Sequence, residues 1–201
     1  MRTLLLLRHA PTDYRNGQSC CLGSRTDAPA SASGLAAAKK LIPLLRENAV
    51  VSVWHSPMLR CRQTAEALAG ALPVAALPGL EELDCGEWDG LSFDEIRARW
   101  PAHYARRGED PALPPPGGEA PEAAALRGLA AITALMERTE GNLAVVAHAG
   151  VNRAMLCALL EKPMAEMRAL PQPYLCVNTL RYDGGGLSVA AIGRPLEEEL
   201  P

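Results

Sequence analysis

Aromatic side chains are scarce: the 201 residues include one Phe, three Trp and four Tyr. Alanine, leucine and valine must therefore fill most of any interior. Long apolar runs are missing as well. Leu4–Leu7 is too short for a secretory signal or a membrane span, and no later segment approaches a span. Positive charge is not in excess. A formal net charge of -3 argues against bulk attraction to nucleic acid or to an anionic membrane, so an anion site has to be a local gathering of cations. The six cysteines form no pair of Cys-x-x-Cys motifs, and the adjacent Cys20 and Cys21 are poorly placed to bridge each other. No zinc or other metal site is expected. The thiols read as small, reduced core residues of a cytoplasmic protein. No internal repeat is present, and the length suits one domain, 1–201.

What is present is an alternation of short apolar runs with helical spacings. Thr3–Leu7, Val50–Trp54, Val74–Leu77 and Leu143–Ala147 read as strands. Ser33–Glu47 carries apolar residues at Leu35, Ala38, Leu41, Ile42 and Leu45, a helical spacing with Ser33 as its cap. Ser56-Pro57 opens a second helix, to about Ala71, with Ser at the cap and Pro at the first position. Phe93–Tyr104 is predicted helical with an interruption near Pro101, as are Glu122–Thr139 and Val151–Leu160. Asp13–Ser31, Leu80–Leu91 and the Pro- and Gly-rich Gly108–Pro121 are loops. Leu175–Tyr182 and Leu187–Ile192, joined by Asp183-Gly184-Gly185-Gly186, form a terminal hairpin, and Glu197–Pro201 is a frayed acidic tail. The order predicts an α/β fold: a three-layer sandwich with a mostly parallel sheet and helices on both faces.

Two of the four histidines end apolar runs: His9 follows Leu4-Leu5-Leu6-Leu7-Arg8, and His148 follows Leu143-Ala144-Val145-Val146-Ala147. In an open parallel sheet such carboxyl ends share one edge, where ligands bind. Arg60 lies in the first turn of the Ser56-Pro57 helix, whose amino end offers free N–H groups and partial positive charge. Its planar fork suits two phosphate oxygens. Arg8, His9, Arg60 and His148 can thus converge on one dianion. Phosphoryl transfer needs an in-line nucleophile, cations on the equatorial oxygens and an acid for the leaving group. A neutral imidazole can attack phosphorus without a metal. Glu81, Glu82 and Asp84, in the loop after the third strand, offer three candidate acids.

These residues reach a family. Arg8-His9-Ala10-Pro11-Thr12 resembles the Arg-His signature of the histidine phosphatase superfamily, which includes the cofactor-dependent phosphoglycerate mutases. The resemblance runs along nearly the whole chain. Gly23–Gly34, with Arg25-Thr26-Asp27, is similar to a Gly-Arg-x-Asp segment. His55-Ser56-Pro57-Met58-Leu59-Arg60-Cys61-Arg62-Gln63-Thr64-Ala65 is similar to Ser-Ser-Pro-Leu-x-Arg-x-x-Gln-Thr-Ala. Glu82-Leu83-Asp84-Cys85-Gly86-Glu87-Trp88-Asp89-Gly90, Pro116-Gly117-Gly118-Glu119 and Val146-Ala147-His148-Ala149-Gly150 match three further strings in order. The resemblance implies that His9 becomes phosphohistidine, using Nε2 while Nδ1–H holds a main-chain carbonyl. It implies that Arg8, Arg60 and His148 hold phosphoryl oxygens, and that Glu82 gives the proton and later activates water. The Trp-Asn pair of the family reads Tyr14-Arg15 here, followed by Asn16, so either Asn16 or Arg15 faces the phosphate. Arg25 and Glu119 are expected at the pocket mouth. Arg62 and Arg153 read as structural, Trp88 as packing, and His55 and His103 as non-catalytic.

The activity implied is metal-independent hydrolysis of a small phosphorylated metabolite, with no cofactor. Related mutases are longer over the site, where a lid excludes water. Here only the excursion 92–121 covers the mouth, which favours a phosphatase. The strings look most like the branch that includes α-ribazole-5′-phosphate phosphatases. A phosphoglycerate mutase and a non-catalytic phospho-ligand binding module stay as alternatives, and whether the chain forms a homodimer stays open.

Overall fold

In a computed structural model of the chain, residues 1–194 are described; the tail expected over Glu197–Pro201 lies outside them. Six strands, β1 (Arg2–Arg8), β2 (Val50–His55), β3 (Val74–Ala76), β4 (Asn142–Ala147), β5 (Val177–Tyr182) and β6 (Leu187–Arg194), form one sheet in the order β3-β2-β4-β1-β5-β6. β3, β2, β4 and β1 pair in parallel, and β5 runs antiparallel to both β1 and β6. The α/β fold with a mostly parallel sheet is thus as the alternation predicts.

The leucine run of β1 is continuous because both faces of the strand are covered. Leu4 and Leu6 pack into one core with Ile132, Leu135 and Met136 of α6 (Pro121–Arg138) and with Val151 and Met155 of α7 (Ala149–Leu159). Leu5 and Leu7 pack into the other, with Ala38 of α1 (Ala32–Ala38), Leu45 of α2 (Ile42–Glu47) and Ala65 and Leu68 of α3 (Leu59–Ala69). Two further helices, α4 (Phe93–Arg99) and α5 (Pro101–Glu109), belong to the excursion after β3. No helix among the described residues is long and apolar enough to cross a membrane.

Several boundaries differ from expectation for local reasons. The helix predicted over 33–47 is divided into α1, a tight turn at Lys39–Leu41 and α2, with Pro43 in the first turn of α2. Proline has no N–H to give to the preceding turn, so it sits where none is needed. The cap of α1 is Ser31, whose Oγ accepts from Gly34 N at 3.0 Å, rather than Ser33. Ser56 does not cap α3. That helix starts at Leu59, whose N–H donates to the Asp27 carboxylate at 2.7 Å, so a distant loop caps it. It ends at Ala69, ahead of Gly70. The loop after β1 holds a short turn, Tyr14–Gly17, and the hairpin begins at Val177 rather than Leu175.

Candidate active site

The register Leu4↔Leu143 through Arg8↔Ala147 delivers the two strand-end histidines to the same edge. His9 N–H donates to Ala147 O at 3.0 Å, and the two rings lie 5.1 Å apart, edge to face. His9 Nδ1 is 2.7 Å from Ala10 O. A carbonyl only accepts, so Nδ1 carries the proton and a neutral ring keeps its lone pair on Nε2. Burial, then the charges of Arg60 and Arg8, hold this imidazole well below its ordinary value of 6.5. His148 is fully buried. Its Nδ1 accepts from Arg60 Nε at 3.2 Å, which leaves Nε2–H to meet Ser56 Oγ at 2.9 Å. Burial and then Arg60 push its pKa well down too.

The cations around this pair are held by neutral acceptors. Arg60 donates to Thr26 O at 3.0 Å and to Gly23 O at 3.2 Å and is wholly buried behind the histidines. Arg8 donates through Nη1 to Gln172 O at 2.6 Å, lies 3.6 Å over the Tyr174 ring, and keeps a buried Nε–H without a partner. Gln172 is itself fixed by Asn178, at 2.7 Å and 3.0 Å, and by Asn152, at 3.3 Å. Among the described residues neither Arg8 nor Arg60 has a carboxylate partner.

Glu82 sits against the amino end of α7. Its Oε1 accepts from Leu83 N and Val151 N, each at 2.9 Å, and its Oε2 accepts from Gly150 N at 3.0 Å. Gly150 makes the approach possible: a Cβ there would stand 2.6 Å from Glu82 Oε1 and 2.7 Å from Leu83 Cδ1. Arg8, His9 and Glu82 share the wall of a cavity of about 520 Å³. Trp88, Phe93, Tyr104 and Tyr174, half of the chain's aromatic side chains, line it as well. Through Phe93 of α4 and Tyr104 of α5 the excursion contributes to its wall. Trp88 also packs edge to face on His103. Among Glu81, Glu82 and Asp84, only Glu82 lines this cavity.

Arg60 and His148, expected to hold phosphoryl oxygens, are fully buried and do not line this cavity, and four further expected residues lie elsewhere. Arg15 pairs with Glu95 at 2.5 Å on the surface, and Asn16 is exposed with a left-handed backbone, φ 55°. Arg25 pairs with Asp84 at 2.7 Å and donates to Gly117 O. Glu119 takes a two-point bond from Arg127, at 2.8 Å and 2.9 Å, and that arginine also donates to Gly79 O and Glu82 O. Arg25 and Glu119 therefore brace the loop that carries Glu82 instead of lining the mouth. Conversely Arg153, read as structural, lines the cavity, joined by Arg107, Arg168 and Tyr174, which no motif singles out. Their signal is three-dimensional: each stands on a different segment. His55 bonds the Ser56 carbonyl, away from the cavity.

With this geometry in place, comparison with known proteins decides the family. The model of the histidine phosphatase superfamily (branch 1) matches residues 4–194. The chain belongs to that superfamily. A rat protein, 6-phosphofructo-2-kinase/fructose-2,6-bisphosphatase 3, is 33% identical over 194 residues, covering 95% of this chain and 34% of its own length. The chain thus spans about a third of the length of such curated relatives. Among solved histidine phosphatase folds, Bacillus stearothermophilus YhfR superposes with a TM-score of 0.87 at 28% identity, covering 97% of this chain and 98% of the other. A mycobacterial glucosyl-3-phosphoglycerate phosphatase gives 0.82 at 26%, covering 96% and 98%. The α-ribazole phosphatase of Shigella flexneri gives 0.79 at 22%, covering 95% and 96%, a likeness of fold.

Proposed function

We propose that this histidine phosphatase hydrolyses the phosphomonoester of a small metabolite through a phosphohistidine at His9. The observation that carries the reading is the state of His9: a neutral ring, its Nδ1–H tied to Ala10 O, in a cavity with an unpartnered Arg8 N–H. The Nε2 lone pair attacks phosphorus while Arg8 and the charge of Arg60 offset the negative charge on the oxygens. The bond from phosphorus to the alcohol oxygen breaks, and a proton on the Glu82 carboxyl passes to that oxygen. Oε2 has one amide partner against two at Oε1, so it is the better placed to carry this proton. The Glu82 carboxylate then takes a proton from water, the resulting hydroxide attacks phosphorus, and the N–P bond breaks to release phosphate and restore His9.

The test is phosphate release, with chelator present, from p-nitrophenyl phosphate and from a panel holding α-ribazole 5′-phosphate, phosphoglycerates and sugar phosphates. His9→Ala should lose turnover and acid-labile phosphoenzyme together. An active His9→Ala protein overturns the mechanism, and isomerisation of 3-phosphoglycerate without release would replace hydrolysis by mutase action.

A further inference from the structure

We propose that the mouth of the His9 cavity binds a second anionic group, carried on the alcohol half of the substrate, through Arg107, Arg153 and Arg168. This rests on the phosphomonoester reading above, in which the first anion is the phosphoryl group beside His9 and Arg8. The three arginines come from separate places, α5, α7 and the turn Met164–Ala169, yet line one cavity with His9. Each is anchored by part of its fork to neutral carbonyls. Arg107 Nη1 donates to Pro111 O at 2.8 Å and Leu113 O at 2.6 Å, Arg153 Nε to Leu170 O at 3.0 Å, and Arg168 Nη1 to Gly108 O at 3.2 Å. Among the described residues the remaining N–H groups have no protein acceptor, and none of the three joins an ion pair. Among the described residues Glu82 is the only acid on the cavity wall, and its oxygens are engaged by α7.

Clustered guanidiniums repel one another, and partial burial adds to the cost. Burial and then the charge of Arg8 lower Arg153, while burial, with Arg168 opposing as well, lowers Arg107. In the phosphomonoester reading Arg8 and the charge of the buried Arg60 already offset one phosphoryl group, so three more cations on the cavity wall exceed its needs. A carboxylate or a second phosphoryl group would offset them, since both fit the planar fork. The sequence gathers this charge in a chain whose overall charge is negative.

The experiment compares matched esters. One arm sets 3-phosphoglycerate against glycerol 3-phosphate, and the other sets fructose 1,6-bisphosphate against fructose 6-phosphate, separating carboxylate from phosphoryl. In at least one arm kcat/KM should be tenfold or more higher for the doubly anionic member, with α-ribazole 5′-phosphate falling among the poorer esters. Arg107→Gln with Arg168→Gln should cut that advantage at least tenfold. Because all three also hold carbonyls of neighbouring segments, Arg153→Gln, which frees only Leu170 O on a different segment, gives a second readout in the same direction. Calorimetric binding of the same pairs to His9→Ala protein decides the matter without turnover, while p-nitrophenyl phosphate turnover in the wild type reports separately on the phosphatase reading. No preference in either arm, or an equal loss for both members of each pair, overturns the second-anion site.

Discussion

At the scale of single residues, the demands on Glu82 are the sharpest. Three amides orient its carboxyl group, and the proposed mechanism asks that group both to give and to take a proton. Glu82→Gln keeps the size, loses the proton, and turns one N–H donor against another at α7. Turnover should fall at least about a hundredfold, with phosphate affinity changing far less; a near-normal rate would move the acid role elsewhere. Gly150→Ala tests the same geometry from the opposite side. The new Cβ meets Glu82 Oε1 and Leu83 Cδ1 well inside contact distance, so kcat should drop at least tenfold while the pocket residues stay chemically intact. Unchanged kcat would mean that Glu82 need not touch α7. The legible part of the site is the part tied to strand ends. Arg8, His9 and His148 follow from the β1–β4 register, which a sequence pattern reports directly. Arg15 and Asn16 were not placeable in this way, because a left-handed loop turns them toward solvent and Glu95. Ser56 looks like a helix cap in sequence, but its hydroxyl meets His148 instead.

At the scale of elements, the loop between β3 and α4 carries Glu82 yet holds little regular structure beyond the turn Gly86–Trp88. Its shape comes from side chains reaching in from outside. Arg127 of α6 ties Gly79 O, Glu82 O and Glu119 into one cluster, and Arg25 ties Asp84 to Gly117 O. Gly86 lets the loop pass the Pro116–Gly118 backbone: its φ is 53°, and a Cβ would stand 2.6 Å from Gly118 N. Replacing Arg127 with Met keeps much of the packing but strips two carbonyls and one carboxylate of their donor. Stability should fall by about 1–3 kcal/mol, measured as a lower urea midpoint, and kcat should fall with it as Glu82 loosens. A variant with wild-type midpoint and kcat would show that the loop holds itself. The strands and the long α6 are readable from periodicity because burial on two faces imposes it. Such braces are not, since Arg127 and Glu119 meet only once α6 packs beside the loop. The apolar spacing over 33–47 hid the division of α1 from α2 although Pro43 marks it, and the true caps Ser31 and Asp27 depended on where the preceding loops run.

At the scale of the whole molecule, a slightly acidic chain places two neutral imidazoles among buried cations, and this couples its stability to pH. In the unfolded chain each histidine takes up a proton as pH falls through about 6.5. In the fold, burial and the neighbouring arginines hold His9 and His148 well below that value. Below 6.5 the unfolded state therefore binds more protons, so stability falls as pH falls. The slope reaches about 1.4 kcal/mol per pH unit for each histidine, until the folded value is met. Above 6.5 both states are neutral and this contribution is flat. The carboxylates whose values are lowered, Asp84 by its bond from Arg25, Glu95 by its Ser92 and Arg15 bonds and Asp183 by the amides of Gly185 and Gly186, act in the same direction but only in more acidic solution. Urea midpoints measured from pH 7.5 to 5.5 should thus decline chiefly through the two histidines. His9→Gln should flatten the decline by one proton's share. His148→Gln should do so too, although it also loses part of the hydrogen bonding to Arg60 and Ser56 and starts from a lower midpoint. Slopes identical to wild type in both variants would mean that these histidines take up protons as readily folded as unfolded. The surroundings of His9 would then do nothing to keep it neutral below pH 6.5, and the proposed attack by its Nε2 should weaken as pH falls through that value.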